Sequence, residues 1–238
     1  MPNRPGRCKL SKVFSPQGQM AADTTEGRAY STLDRLIMAV DDGLRTVFGR
    51  PPTTMRPAPD AQIPEASLTQ SQRRLSEGLM RVNHTGEICA QALYSAQALT
   101  ARDAEARERM QQAAAEENDH LIWCEQRVQE LGGHLSYLNP LWYAGSFLIG
   151  AGAGLAGDKW NLGFVVETER QVIKHLEQHL NRLPGEDEKS RAIVAQMRID
   201  EGQHATMALH SGAAELPFVV KRLMTLQSKV MTTLAYWV

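Results

Sequence analysis

The chain has 238 residues and a formal net charge of -1. That length suits one domain with an ordered extension, and the charge balance supplies no basic field for gripping nucleic acid. The three cysteines, Cys8, Cys89 and Cys124, form no C-x-x-C pair, which excludes zinc ribbons and thioredoxin-like sites and suits a reducing compartment.

In chain order, residues 1–30 read as a disordered N-terminal tail. Arg4, Arg7, Lys9 and Lys12 precede the first acid, Asp23, as in an organelle transit peptide, but Pro2, Pro5 and Pro16 interrupt the amphipathic helix such a peptide needs. Residues 31–49 predict a short amphipathic helix capped by Ser31, with Leu33, Ile37, Val40, Leu44 and Val47 on one face. Residues 50–67 read as a proline-rich linker, since Pro51, Pro52, Pro57, Pro59 and Pro64 forbid a continuous helix. Residues 68–238 read as one helical bundle domain.

Good helix formers dominate that domain. Helices are expected over about 69–100 and 103–131, the second stopped by Gly132-Gly133. Further helices are expected over about 158–183, 187–211 and 215–237, with Pro184-Gly185 as punctuation. No stretch alternates at period two for long enough to predict a strand.

Leu141 to Gly157 carries no charge. The run is short and glycine-rich for a membrane span, which needs about 20 predominantly apolar residues, so it is expected to be a buried helix or a segment dipping into the membrane surface. Trp142, Tyr143 and Trp160 flank it as interfacial aromatics do. Its Gly152-Ala-Gly154-Leu-Ala-Gly157 matches G-x-G-x-x-G, but a dinucleotide site needs a preceding strand, and none is expected here. Glycines four apart, Gly150 and Gly154, instead predict close helix packing.

Two E-x-x-H motifs carry the chemistry: Glu117-Asn118-Asp119-His120 and Glu201-Gly202-Gln203-His204. Residues three apart share a helix face, so each Glu and His can bind one metal ion together. Both pairs fall within apolar stripes, Met110, Ala113, Leu121 and Cys124 for the first and Val194, Met197, Ala205 and Ala208 for the second. A carboxylate facing a core is costly unless paired or bound to metal. Each E-x-x-H helix follows a helix with the same anomaly. Glu169 lies on the stripe of Leu162, Val165, Val166, Val172 and Leu176, whereas Glu167 points away, and Glu87 shares a face with Met80, Ala90 and Tyr94.

The chain thus reads as two copies of a Glu helix followed by an E-x-x-H helix. That is the ligand inventory of a di-iron carboxylate centre in a ferritin-like four-helix bundle, here with additional apolar and amphipathic helices. The expected fold class is all-α, and the expected metal ligands are Glu87, Glu117, His120, Glu169, Glu201 and His204. The ligand types suit two iron or two manganese ions. His175, on the Glu169 helix, is expected either to orient a ligand or to be an ordinary helix histidine. No catalytic residue beyond the metal ligands is expected.

At these residues the sequence resembles the demethoxyubiquinone hydroxylases, the 3-demethoxyubiquinol 3-hydroxylases of ubiquinone biosynthesis. The resemblance rests on L-M-R-V-N-H-T-G-E at Leu79–Glu87, E-N-D-H at Glu117–His120 and N-P-L-W-Y-A-G-S-F at Asn139–Phe147. It continues through G-L-A-G-D-K-W at Gly154–Trp160, V-E-T-E-R-Q-V around Glu169 and R-I-D-E-G-Q-H ending at His204. It spans about residues 70 to 220, and the N-terminal helix and linker resemble the bacterial branch. Thr85 and Cys89 depart from it at positions that are not ligands. The resemblance implies an O2-dependent monooxygenase with two Fe ions held by the six residues above. It implies a demethoxy quinol substrate with a polyprenyl tail, an unidentified electron donor, and association with other quinone-biosynthesis enzymes. It also implies a peripheral protein on the lipid surface of the cytoplasmic face of the bacterial cell membrane. Leu141–Gly157 and the last helix are expected to wall an apolar groove for the tail, or to pack as core. The same ligands would serve a ferritin-like iron store or a manganese catalase. A non-enzymatic lipid-binding assembly factor for quinone biosynthesis is the third reading.

Overall fold

The computed structural model describes residues 31–238, and the expectations for residues 1–30 and for Cys8 lie outside them. Seven helices and no strand occur among the described residues: α1 (Thr32–Phe48), α2 (Gln70–Thr100), α3 (Ala104–Glu130), α4 (Asn139–Leu155), α5 (Asp158–Arg182), α6 (Glu188–His210) and α7 (Phe218–Ala235). The fold is all-α, and α2, α3, α5 and α6 make a ferritin-like four-helix bundle.

Local chemistry sets the helix ends. Ser31 and Thr69 each open a helix with a reciprocal capping box, to Asp34 in α1 and to Gln72 in α2. The Asp187 carboxylate accepts from the Ser190 amide at 3.1 Å and caps α6. Helix α3 stops where expected. Gly132 adopts φ +79°, and the Gly132 and Gly133 amides turn back onto the carbonyls of Gln129 and Val128, at 2.9 and 3.0 Å.

Two hairpins, α2–α3 and α5–α6, face each other. Their interior divides around the acidic centre. On one side Leu79, Met80, Trp123, Val128, Ile193 and Met197 pack together, and on the other Tyr94, Met110, Leu162, Val165 and Ala208 do. Burial of these two groups of side chains is the main favourable term that offsets ordering the chain.

Helix α4 connects the hairpins and lies along α2. A Cβ on Gly150 would sit 2.7 Å from the Leu93 carbonyl oxygen, and one on Gly154 would overlap Thr100 Oγ1. These glycines let the two backbones touch, as their spacing predicted, and the G-x-G-x-x-G match is helix packing. The expectation of a buried helix needs correction. Gly150, Gly154 and Ser146 are buried against α2, but Leu141, Leu148 and Leu155 on the other side are more than 60% exposed. No described helix is long and apolar enough to cross a membrane. Helix α7 packs on α2 through Met231 and Ala235, beside Val82 and Trp142, and leaves Phe218, Leu223 and Leu226 exposed, as is Trp237 just past its end.

The proline-rich segment 50–67 is free of helix, as its prolines require, but it is a strap and not a free linker. Asn118 Nδ2 donates to the Pro52 carbonyl at 2.8 Å, the Thr54 amide donates to Asp119 Oδ1 at 3.0 Å, and Arg56 Nη2 donates to Asp200 Oδ2 at 2.8 Å. Glu65 closes the far end by accepting from Arg127 Nη1 at 2.6 Å.

Candidate metal centre

Each bundle helix brings its acid to the same level of the core. Glu87 comes from α2, Glu117 and His120 from α3, Glu169 from α5, and Glu201 and His204 from α6. All six are at most 3% exposed. They form two overlapping groups whose potential ligand atoms lie within 4.8 Å of one another: Glu87, Glu117, His120 and Glu201, and Glu117, Glu169, Glu201 and His204. Glu117 and Glu201 belong to both. The structure therefore brings together all six residues singled out from the sequence, as two adjoining positions with two shared carboxylates.

The histidines are oriented alike. Nδ1 of His120 lies 3.0 Å from Glu117 and 3.4 Å from Glu201, and Nδ1 of His204 lies 3.1 Å from Glu117 and 3.2 Å from Glu201. Each Nε2 points outward to a carboxylate on the facing helix: His120 to Asp200 at 2.9 Å and His204 to Glu116 at 2.8 Å. A proton kept on Nε2 for that bond leaves Nδ1 free to ligate. Tyr94 Oη donates to Glu169 Oε1.

The charge states follow from this crowding. Burial, together with Glu117 and Glu201, pushes the Glu87 carboxyl well above the usual range, and burial together with Glu201 does the same to Glu169. Burial opposes charge on His120 and His204 as well, but the carboxylates around them win and hold both rings above the usual imidazole range. Those imidazoliums in turn overcome burial to hold Glu117 and Glu201 low. In the centre, then, burial and mutual repulsion favour the neutral form of Glu87 and Glu169, while the imidazoles favour the ionised form of Glu117 and Glu201. Binding of divalent cations would displace the protons these groups carry. The donor set fits two divalent metal ions in number and type.

His175 lines the same cavity as Glu87, Glu169 and Glu201 but makes no hydrogen bond to any of the six residues. Its Nε2 is buried and makes no hydrogen bond among the described residues, and its ring stands 4.0 Å from that of His179. Six residues after Glu169 it lies about a third of a turn off that face. Burial keeps both rings neutral, pushing His175 down to about 4 and His179 to about 2. The orienting groups are Asp200, Glu116 and Tyr94, which sequence reasoning missed. One signal was present, in that an acid directly precedes each E-x-x-H.

A cavity of about 110 Å³ ends on the centre. Glu87, Glu169 and Glu201 line its inner end, and Val82, Leu93, Phe164, Val172, Met224 and Met231 give it an apolar wall from α2, α5 and α7. Cys89 also lines it, and burial raises that thiol to about 11, so it stays protonated. Cys124 is buried against Met197, 3.6 Å between sulfurs, and acts as core.

A family model described as "Ubiquinone biosynthesis protein COQ7" matches residues 74–235. A Nitrosococcus oceani protein named 3-demethoxyubiquinol 3-hydroxylase is 61% identical over 213 residues, 90% of this chain and 100% of that protein. Proteins of the same name from Nitrosospira multiformis and Chromobacterium violaceum are 61% and 59% identical, over 87% and 86% of this chain and 99% and 98% of theirs.

Proposed function

The chain belongs to the ubiquinone biosynthesis COQ7 family, and on that premise we propose that it is a 3-demethoxyubiquinol 3-hydroxylase. It inserts one atom of O2 into a ring C–H of a demethoxy-polyprenyl-benzoquinol. The observation that carries this reading is a buried pair of overlapping ligand groups opening onto an apolar cavity at Glu87, Glu169 and Glu201. An iron store has no use for an apolar pocket on its ligands.

The reaction converts a C–H, O2, two electrons and two protons into a C–OH and water. Two Fe ions held by Glu87, Glu117, His120, Glu169, Glu201 and His204 supply the activation of O2 when bound. The chain does the rest. Asp200 and Glu116 fix the histidine rings. Val82, Leu93 and Phe164 exclude water from the ring's approach. Tyr94 holds a proton at Glu169 Oε1, since burial first and the Glu169 charge second keep its phenol from ionising.

The quinol ring occupies the cavity, and the polyprenyl tail leaves past Met224 and Met231 of α7. Exposed Leu141, Leu148 and Leu155 on α4, Phe218 and Leu223 on α7, and Trp237 just after α7 support docking on a lipid surface. Arg222 and Lys229, with no acid in α7, suit the anionic cytoplasmic face of the bacterial cell membrane. The electrons come from a donor outside this chain.

The test is anaerobic reconstitution with ferrous iron, followed by ¹⁸O-labelled O2 and a demethoxy quinol, with mass spectrometry of the product. The expected result is one labelled oxygen on the ring. Uptake of about two irons per chain with no labelled product would instead favour storage or an assembly role.

A further inference from the structure

The two metal positions have matching ligands but unequal supports. His204 leans on Glu116, which is 27% exposed at its side chain and accepts only one other side-chain hydrogen bond among the described residues, from Gln112 at 3.3 Å. His120 leans on Asp200, which is 7% exposed at its side chain and held from three directions. Asp200 Oδ2 accepts from Arg56 Nη2 at 2.8 Å and faces His120 Nε2 at 2.9 Å, while Oδ1 accepts from Gln196 at 2.9 Å.

Arg56 belongs to the strap, not to the bundle, and precedes residues 74–235 that match the family. Its guanidinium also lies 5.1 Å from the centre of the Trp123 ring, which itself stands 5.4 Å from the His120 ring. N-terminal to Arg56 the strap grips the two residues that lie between the ligands Glu117 and His120 of α3. Pro52 holds Asn118, and Thr54 holds Asp119 through both its amide and its hydroxyl. Apart from the Arg56–Trp123 contact, each of these is to the Glu117–His120 segment or to the carboxylate behind His120. None reaches Glu116 or His204.

We propose that Arg56 is a positioning residue that fixes His120 through Asp200, so that the N-terminal strap sets the affinity of one metal position and leaves the other to Glu116. The strapped position is that of Glu87, Glu117, His120 and Glu201. The proposal rests on the metal reading above. Its physical basis is that a carboxylate free to rotate holds a histidine ring less firmly than one pinned by a planar guanidinium, and loss of such an outer partner costs about 10–100-fold in metal affinity. Linkage makes the effect reciprocal: an ion at that position tightens the strap by the same factor.

The test uses the full metal-free chain and Co(II) as a spectroscopic probe under anaerobic conditions. Wild type takes up two ions. Arg56→Ala weakens one of them by about 10–100-fold and leaves the other unchanged, and Arg56→Lys recovers part of the loss by restoring a donor to Asp200. In wild type, Co(II) slows hydrogen exchange of the Thr54 amide, and in Arg56→Ala that slowing is lost. Unchanged affinities with unchanged Thr54 protection would overturn the proposal, as would equal weakening at both positions, which signals general loosening. A wild-type chain that binds no Co(II) overturns the metal reading itself and the proposal with it.

Discussion

Glu117→Ala and Glu201→Ala each remove both metal ions and lower hydroxylation by about 10³-fold or more, about 4 kcal/mol in the barrier. Both residues belong to both ligand groups. Losing either takes one carboxylate from each position and leaves His120 and His204 with one fewer partner to balance. Glu87→Ala and Glu169→Ala behave differently, because each serves one position only. They lose one ion first and keep the other at higher metal concentration. Metal content per chain and single-turnover rates, measured on the same samples, separate the two classes. Retention of two tightly held ions in Glu117→Ala would mean that the carboxylate is not shared.

Arg127→Ala destabilises the fold by about 3–5 kcal/mol, the usual cost of stranding one member of a buried ion pair. Arg127 is 1% exposed and reaches four partners. Nη2 donates to Asp187 at 2.8 Å, Nη1 to Glu65 and Glu130 at 2.6 and 2.8 Å, and Nε to Ser190 at 2.9 Å. These join α3, the N-terminus of α6 and the end of the strap. The truncation leaves the Asp187 carboxylate buried without its cation. The double variant Arg127→Met with Asp187→Ser removes both charges, keeps a capping oxygen at α6, and recovers most of the loss. Urea unfolding reads both, and equal losses in the single and double variants would show that packing, not charge, is at stake.

Much of the centre was legible because helical period and burial cost act together. An acid on an apolar stripe is conspicuous, so Glu87, Glu117, Glu169 and Glu201 stand out, and face alone separates Glu169 from Glu167. The structure seats Glu167 near Lys221, at 3.8 Å, outside the centre. Asp200 and Glu116 were hidden because their histidines lie 80 and 88 residues away on facing helices, so helix periodicity does not pair them. Tyr94 passed as a core aromatic, since its position two turns beyond Glu87 says nothing of a hydrogen bond to Glu169. His175 stayed between two readings because residue type and helix alone do not fix a histidine's role; the structure puts it on the wall of the cavity that Glu169 also lines, with no hydrogen bond to any of the six.

The strap and α4 show the same limit. Five prolines told that 51–64 is not helix, but the bonds that tie it down are made by backbone groups and by Arg56 and Glu65, 62 to 144 residues from their partners. For α4, composition reported an uncharged run. Which side is buried depends on Gly150 and Gly154 meeting Leu93 and Thr100, and that is set by how the hairpins assemble.

On the proposed reading, six residues on four helices hold two metal ions between Glu117 and Glu201. The most direct measurement is anomalous diffraction at the iron edge from crystals of the full chain prepared anaerobically with ferrous iron. Two peaks about 3.5–4 Å apart, both beside Glu117 and Glu201, one by His120 and one by His204, are the predicted result. A single peak, or peaks away from those two carboxylates, would contradict the account.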